Sequence, residues 1–267
     1  MNGSDTRFFG GGGSMSRRLL VGWLWGLVAL LPGLTTAHAA AVTVAVAANF
    51  AAPMKGLATL YEQRTGNRLV VSVGASGALA AQVLHGAPFQ VFLSADQKTV
   101  QALEDQGHTV PGTRYTYAVG RLVLWSPRPD LVDPQGAVLR SPRFERLAIA
   151  NPKLAPYGAA ALEAIERLGL SATLRPRVVQ GENIAQAHQF TASGNAQLGF
   201  LALSQVMLDG RLVGGSAWIV PSTLHAPLRQ DAVLLKRGAD APAARAFLDF
   251  LRSDAARAII RAHGYED

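Results

Sequence analysis

The sequence contains no cysteine among its 267 residues. A chain without thiols can form no disulfide, no thiolate zinc site, no iron–sulfur cluster and no cysteine nucleophile. Aromatic residues are also scarce at 7%, and charged residues make up only 16%. The hydrophobic fraction of 49% is nevertheless ample for a buried core, which argues against a disordered chain. The length suits one large domain or two domains of ordinary size.

Motifs for metal ions and nucleotides are missing as well. The six histidines include no pair at i, i+4 spacing, so we predict no histidine metal site. The glycine-rich turn at 74–77 lacks both the P-loop lysine and the G-x-G-x-x-G spacing. The net charge of +7 permits an anionic partner, but the basic residues are dispersed and form no stripe with aromatics. We therefore predict no nucleic-acid partner.

Residues 15–39 have the pattern of a secretory signal peptide. Two arginines precede the apolar stretch Leu19–Leu31, and Ala37–Ala39 is a small-x-small cleavage site. A membrane anchor is the alternative, but the stretch is shorter than the ~20 apolar residues of a spanning helix. We predict that residues 1–39 are an N-terminal extension with a cleavable signal peptide, and that the mature protein is periplasmic.

The rest of the chain alternates short apolar runs with stretches of helical periodicity. Three runs, 42–48, 69–73 and 91–93, are each followed by a helical stretch. A second series includes the strands Leu147–Ala150 and Leu198–Ala202. Such alternation predicts parallel sheets with helices on their faces, hence an α/β protein.

One further feature bears on how the two series are divided into lobes. The longer apolar run Tyr115–Trp125 has no helical period and predicts one strand that passes between two lobes. We predict lobe I over 40–118 plus 224–267 and lobe II over 119–223.

Four helices are predicted to begin where small or polar residues follow a strand or a loop. Their starts are Ala48-Asn49, with Asn49 as N-cap, Ser76-Gly77, Tyr157-Gly158 and Asn183 before a helix at Ile184–Ala192. The first N–H groups of a helix have no intrahelical partner and carry about half a positive charge. If these starts converge, they form an anion site without any charged side chain.

Ser76 also permits a second interpretation, as the nucleophile of a secreted hydrolase. Gly74, Ser76 and Ala78 fit a loose small-x-Ser-x-small elbow, and Asp231 and His263 follow in the chain order of such enzymes. Against this interpretation, only one strand of the sheet precedes the turn, and no HGGG-type oxyanion loop lies upstream.

Five stretches together resemble a known family: VAVAANF, SVGASGALAAQV, GAPFQVFLSADQKTV, NPKLAPYGAAALEAIERLG and GENIAQAHQFTASGNAQLGFLALSQV. In this order and spacing they look like the periplasmic molybdate-binding proteins of ABC transporters, over residues 40–267. The resemblance implies a type II periplasmic binding protein fold, in which two α/β lobes are joined by two crossing strands with the ligand cleft between them. Another oxyanion such as sulfate stays open as the ligand.

The same resemblance implies the protein's role and partners. It implies a binding protein rather than an enzyme, with no cofactor and no free metal cation. Its ligand would be molybdate or tungstate, delivered to an inner-membrane ABC permease with its cytoplasmic ATPase. We expect the protein to be a monomer.

The resemblance also places the ligand contacts, by motif, on five residues of this sequence: Ala48, Asn49, Ser76, Tyr157 and Ile184. Asn49 and Ser76 would donate through side chain or backbone, and Tyr157 and Ile184 through backbone N–H groups. Two positions depart from the family pattern. Ala202 stands where some members have a ligand-binding tyrosine, and Gln90 stands where aspartate is frequent. We also predict that Ser204 caps a short helix that ends at Leu208.

Overall fold

The computed structural model describes residues 40–266, so the predicted signal peptide lies outside the described residues. The strands are β1 Ala41–Ala47, β2 Arg68–Gly74, β3 Val91–Leu93, β4 Tyr115–Gly120, β5 Leu122–Ser126, β6 Leu147–Ala150, β7 Val178–Gly181, β8 Leu198–Ala202, β9 Met207–Leu208, β10 Arg211–Leu212, β11 Ser216–Ile219 and β12 Leu228–Leu234. The helices are α1 Ala51–Thr65, α2 Ser76–Leu84, α3 Gln97–Asp105, α4 Pro156–Arg167, α5 Ser171–Leu174, α6 Ile184–Ala192, α7 Pro242–Phe250 and α8 Asp254–Ala262. Among the described residues, no helix has the length and apolar character needed to cross a membrane.

Lobe I is built on a five-stranded sheet in the order β2-β1-β3-β12-β4. Strands β1, β2 and β3 are parallel, and β12 runs antiparallel to both of its neighbours. β1 is almost entirely buried, because helices cover both faces of the sheet and the strand is a continuous apolar run. One face packs against α1 and α7 through Phe50, Leu57, Tyr61 and Phe247. Ala47 pairs with Gly74, so β1 and β2 end side by side.

Lobe II is built on a second five-stranded sheet in the order β11-β5-β8-β6-β7. β6 runs parallel to β7 and β8, whereas β5 is antiparallel to β8 and β11. Ala150 pairs with Gly181, which puts the carboxyl ends of β6 and β7 next to each other. The helices α4 and α6 follow these two strands, so their N-termini lie at one edge of the sheet.

The prediction of one long strand over Tyr115–Trp125 is wrong in the number of strands. The run contains two strands, β4 and β5, which belong to different sheets and are separated at Arg121. Gly120 ends β4 close to lobe II, where a Cβ atom would lie only 2.1 Å from the hydroxyl of Tyr157. The chain returns to lobe I between β11 and β12. Two segments therefore cross between the sheets, while the lobe limits predicted from the sequence stay a prediction.

Two local predictions are also wrong. Asn49 is not an N-cap, because it lies inside a 3₁₀ turn, Ala48–Phe50, that leads directly into α1. The helix predicted from Ser204 is instead a 3₁₀ turn, Leu203–Gln205, followed by the hairpin β9-β10. The hairpin turns at Asp209 and Gly210, whose φ angles are 50° and 72°. An Asp-Gly pair is a strong hairpin signal, so the sequence did contain the information.

Candidate functional site

Four helical starts meet in one small pocket between the lobes. It is lined by Ala47, Ala48, Asn49, Gly74, Ala75, Ser76, Ala95, Ala155, Pro156, Tyr157 and Ile184. The structure thus brings together all five residues to which the sequence assigned ligand contacts, and each of the five is at most 4% exposed. The cavity volume is about 10 Å³, far below the roughly 300–1,000 Å³ of sites for drug-sized ligands, so this pocket suits only a small ion.

The sheet registers explain why the starts converge. The 3₁₀ turn after β1 and the start of α2 after β2 are neighbours because Ala47 and Gly74 are paired. The starts of α4 and α6 are neighbours in lobe II because Ala150 and Gly181 are paired. Each lobe therefore contributes two adjacent helical N-termini to the pocket, and their partial positive charges add.

Two of the helix starts in the pocket have no side-chain cap for their backbone donors. α2 and α4 begin without any side-chain cap, although both starts are buried. At α6, Asn183 Oδ1 accepts hydrogen bonds from the N–H groups of Ala185 at 2.9 Å and Gln186 at 3.1 Å. The N–H of Ile184 is not one of its donors. α3 and α8 are capped by side chains, whereas α7 lacks such a cap but begins at a residue that is exposed to solvent. Buried helix starts without such partners indicate that a ligand accepts their hydrogen bonds.

Ser76 is held so that its hydroxyl can donate. Its Oγ accepts a hydrogen bond from the N–H of Ala95 at 2.9 Å. This contact fixes the oxygen but leaves the hydroxyl hydrogen available. Ser76 is only 1% exposed, so a group bound in the pocket is the natural acceptor.

The side chain of Asn49 has a different role from the one predicted. Its Nδ2 donates to Gln230 Oε1 and to Tyr265 Oη, each at 2.9 Å. Both amide hydrogens are thereby used. The donor that Asn49 has left for the pocket is its backbone N–H.

The pocket lining holds neither a carboxylate nor a cationic side chain. Its one titratable group is the phenol of Tyr157, and burial raises the pKa of this phenol well above its ordinary value. The pocket therefore offers neutral donors only, which suits an anion that carries no proton of its own. Within residues 40–266, no group of three or more His, Asp or Glu side chains is placed to hold a metal ion.

Burial raises the pKa of all five tyrosines in the sequence: Tyr61, Tyr115, Tyr117, Tyr157 and Tyr265. A phenol with a higher pKa in the folded chain stabilises the fold at every pH below its unfolded value of about 10, and this contribution is lost as the pH rises towards the folded value. We expect no tyrosinate absorbance in the native protein through pH ~10, and then a rise that coincides with loss of circular dichroism. The control is the same titration in guanidinium chloride, where the phenols should ionise near pH 10. A tyrosinate signal near that pH from a protein with native circular dichroism would contradict the burial.

The hydrolase interpretation of Ser76 is not supported by the geometry. The Asp231 carboxylate accepts from Arg114, Gln97 and Thr116. His263 Nδ1 pairs with its own helix. Each residue of the suggested triad thus has other partners, and no hydrogen bond joins the three within residues 40–266.

Sequence reasoning missed a set of polar residues around the pocket. Ser204 Oγ donates to the carbonyl of Asn49 at 2.7 Å, and the N–H of Gly77 donates to the carbonyl of Leu154 at 2.9 Å. Both bonds join lobe I to lobe II. Gln230 belongs to the same set, because its side chain bonds to Asn49 and to Tyr157. The available signal was the run of three polar residues, Arg229–Asp231, next to the apolar end of the same strand.

The two residues that depart from the family pattern, Ala202 and Gln90, both take part in hydrogen bonds in the structure. Ala202 donates its N–H to Gln205 Oε1 at 3.0 Å, and Gln205 Nε2 donates to the carbonyl of Ile184 at 3.0 Å. The backbone of Ala202 is thus linked, through the side chain of Gln205, to the first residue of α6. Gln90 Oε1 accepts from the N–H of Thr43 at 3.0 Å and so contributes to lobe I away from the pocket.

Comparison with known proteins agrees with this architecture. The family described as bacterial extracellular solute-binding protein matches residues 42–266. The chain belongs to this family, and the predicted fold class of two α/β lobes is confirmed.

More specific relatives were also found. The molybdate-binding protein ModA of Azotobacter vinelandii is 54% identical over 241 residues, which cover 90% of this chain and 96% of the relative. ModA of Rhodobacter capsulatus is 50% identical over 239 residues, with 89% and 93% covered. The solved structure of an Azotobacter vinelandii periplasmic molybdate-binding protein superposes with a TM-score of 0.82 at 41% identity, covering 85% of this chain and 99% of that one. The resemblance seen in the sequence motifs is thereby confirmed.

Proposed function

We propose that this protein is a periplasmic solute-binding protein that captures molybdate, and also tungstate, and delivers it to an ABC permease driven by a cytoplasmic ATPase. The observation that carries the proposal is the small buried pocket, in which four helical starts present neutral donors from two lobes. The identity of 54% to a protein named for molybdate binding supports the choice of ligand. In this proposal lobe I is 40–118 plus 224–267, lobe II is 119–223, and the protein acts as a monomer.

The proposed contacts follow from the free donors. The anion receives backbone N–H groups at Ala48, Asn49, Tyr157 and Ile184 and the hydroxyl of Ser76. Hydrogen bonds to a charged acceptor are about twice as strong as neutral ones. A fully deprotonated oxyanion can accept every one of them. Hydrogen phosphate would bring a donor that finds no acceptor, and this mismatch lowers its affinity.

The split of the donors between the lobes supports a role in transport. A ligand that bonds to both lobes favours the closed arrangement over any open one, because only the closed arrangement makes all contacts. Closure changes the surface that the two lobes present together, and a permease can distinguish the two surfaces.

Calorimetric titration of the purified mature chain with sodium molybdate tests the proposal. We expect saturable binding with one anion per chain. A chain that binds no molybdate or tungstate, under conditions where its circular dichroism is native, would refute the assignment.

Ser76→Ala should weaken molybdate binding by about 1.5–3 kcal/mol, because a charge-assisted hydrogen bond is lost. Ser126→Ala is the matched control, since Ser126 is also fully buried and its Oγ accepts from a backbone N–H, that of Arg128, away from the pocket. Its affinity should equal that of the wild type. If Ser76→Ala binds molybdate normally but loses an esterase activity present in the wild type, the hydrolase interpretation replaces this one.

A further inference from the structure

We infer that Gln230 is a positioning residue for the oxyanion pocket: it joins Asn49 of lobe I to Tyr157 of lobe II and thereby slows release of the bound anion. The inference rests on the proposed function, since it concerns the same pocket. Gln230 is not among the residues that line the pocket. It acts through two residues that do.

The side-chain hydrogen bonds of Gln230 are with three other polar side chains. Its Oε1 accepts from Asn49 Nδ2 at 2.9 Å and from Tyr117 Oη at 3.0 Å. Its Nε2 donates to Tyr157 Oη at 3.2 Å. Gln230 is fully buried, so water does not compete for these bonds. One side chain thus ties together two of the segments whose backbone N–H groups face the anion.

A β-bulge lies beside Gln230. Between Gln230 and Asp231 the pairing of β12 with β4 skips Tyr117, which is therefore the extra residue of the bulge and belongs to β4. Bulges often re-aim a side chain near a binding site, and the hydroxyl of Tyr117 donates to Gln230 Oε1. On β12, Asp231 is bound to Arg114 within lobe I, whereas Gln230 bonds across the lobe junction.

Gly120 leaves the space that this contact needs. A Cβ atom at Gly120 would lie 2.1 Å from Tyr157 Oη and 2.5 Å from Gln230 Nε2. Any residue other than glycine at position 120 would therefore displace the side chains of Tyr157 and Gln230. The end of β4 therefore approaches this hydrogen bond closely.

Asn49 is held from the lobe II side as well. Ser204 Oγ donates to its carbonyl at 2.7 Å, and Tyr265 Oη lies 3.0 Å from Ser204 Oγ. When the lobes separate, the Gln230–Tyr157 bond must break together with these. Water can replace this buried bond only after the lobes have separated, so breaking it adds to the barrier to opening and prolongs the closed, ligand-bound state.

The first test compares Gln230→Met with Gln90→Met. Methionine keeps the approximate length of the side chain and removes its hydrogen bonds. Gln90 is the matched control because its amide also bonds within lobe I but lies outside the lobe junction. Stopped-flow fluorescence with molybdate gives both rate constants. We expect the dissociation rate of Gln230→Met to rise up to about tenfold while its association rate stays within about twofold, and we expect Gln90→Met to match the wild type.

The second test is a double-mutant cycle with Tyr157→Phe, which removes the phenol oxygen and keeps the backbone N–H that faces the anion. Because both substitutions remove the same bond, Tyr157→Phe should add no further increase in the dissociation rate once Gln230 is methionine. Independent, multiplying effects would overturn the inference.

Thermal unfolding of the unliganded proteins separates positioning from a purely structural role. A lower melting temperature of Gln230→Met with an unchanged dissociation rate would overturn the inference and leave the proposed function intact. A wild-type protein that binds no oxyanion would refute the proposed function and this inference with it.

Discussion

Molybdate and tungstate are expected to bind at least about a hundredfold more tightly than sulfate. All three are tetrahedral dianions with the same demand for donors, so charge does not distinguish them. The pocket distinguishes them by size, because its donors are fixed at helix starts that belong to two packed lobes. Donors set for the longer metal–oxygen bonds leave the oxygens of sulfate beyond ideal reach.

The expected magnitude follows from the number of bonds that sulfate loses. Two lost charge-assisted hydrogen bonds, at about 1.5–3 kcal/mol each, reduce affinity by a factor on the order of a hundred or more. Competition calorimetry with molybdate, tungstate, sulfate and phosphate measures the ratios in one series. Equal affinities for sulfate and molybdate would contradict the choice of ligand and favour a general oxyanion carrier.

Gly158→Ala is expected to abolish most of the molybdate affinity, with a loss of about a hundredfold, and to destabilise the protein by about 1–3 kcal/mol. Gly158 lies in the first turn of α4, directly after Tyr157. A Cβ atom there would lie 2.2 Å from the carbonyl oxygen of Ala150 at the end of β6. Backbone cannot rotate away as a side chain can, so α4 must shift and carry the N–H of Tyr157 out of reach of the anion.

Gly214→Ala provides the matched control for this substitution. A Cβ atom at Gly214 would have nothing within 4 Å. This variant should bind and melt like the wild type within about 0.5 kcal/mol. Calorimetry and thermal unfolding of both variants check the prediction. Wild-type affinity in Gly158→Ala would show that α4 does not deliver a donor to the ligand.

The sequence predicted those parts of the fold that depend on local signals. The bounds of β6, α6 and β8 were predicted to the residue, because each is a clear apolar run or a periodic stretch with turn residues on both sides. The five pocket residues were found because small residues at strand ends, together with family motifs, mark helix starts. The break at Arg121 was not predicted, because a Gly-Arg pair inside an apolar run does not specify whether the next strand joins the same sheet or another one.

The polar network behind the pocket was missed for a different reason. Asn49 and its partner Gln230 are 181 residues apart, and Asn49 and Tyr265 are 216 residues apart. A residue's local pattern does not specify a partner at such a distance. The side chain of Asn49 was therefore assigned to the ligand or to a helix cap, whereas tertiary structure commits it to Gln230 and Tyr265.

The position of β12 has a consequence for how the chain acquires its fold. β12 lies between β3 and β4 in the sheet of lobe I, yet it follows every strand of lobe II in the chain. A chain emerging from its N-terminus can complete the lobe II sheet first, while β3 keeps an unpaired edge and β4 has no neighbour. Exposed edges of this kind favour aggregation, so a chain that stops before Leu228 should need a chaperone. Gln230 and Tyr265, which hold the side chain of Asn49 at the pocket, also come from the final part of the polypeptide, so an incomplete chain lacks this support.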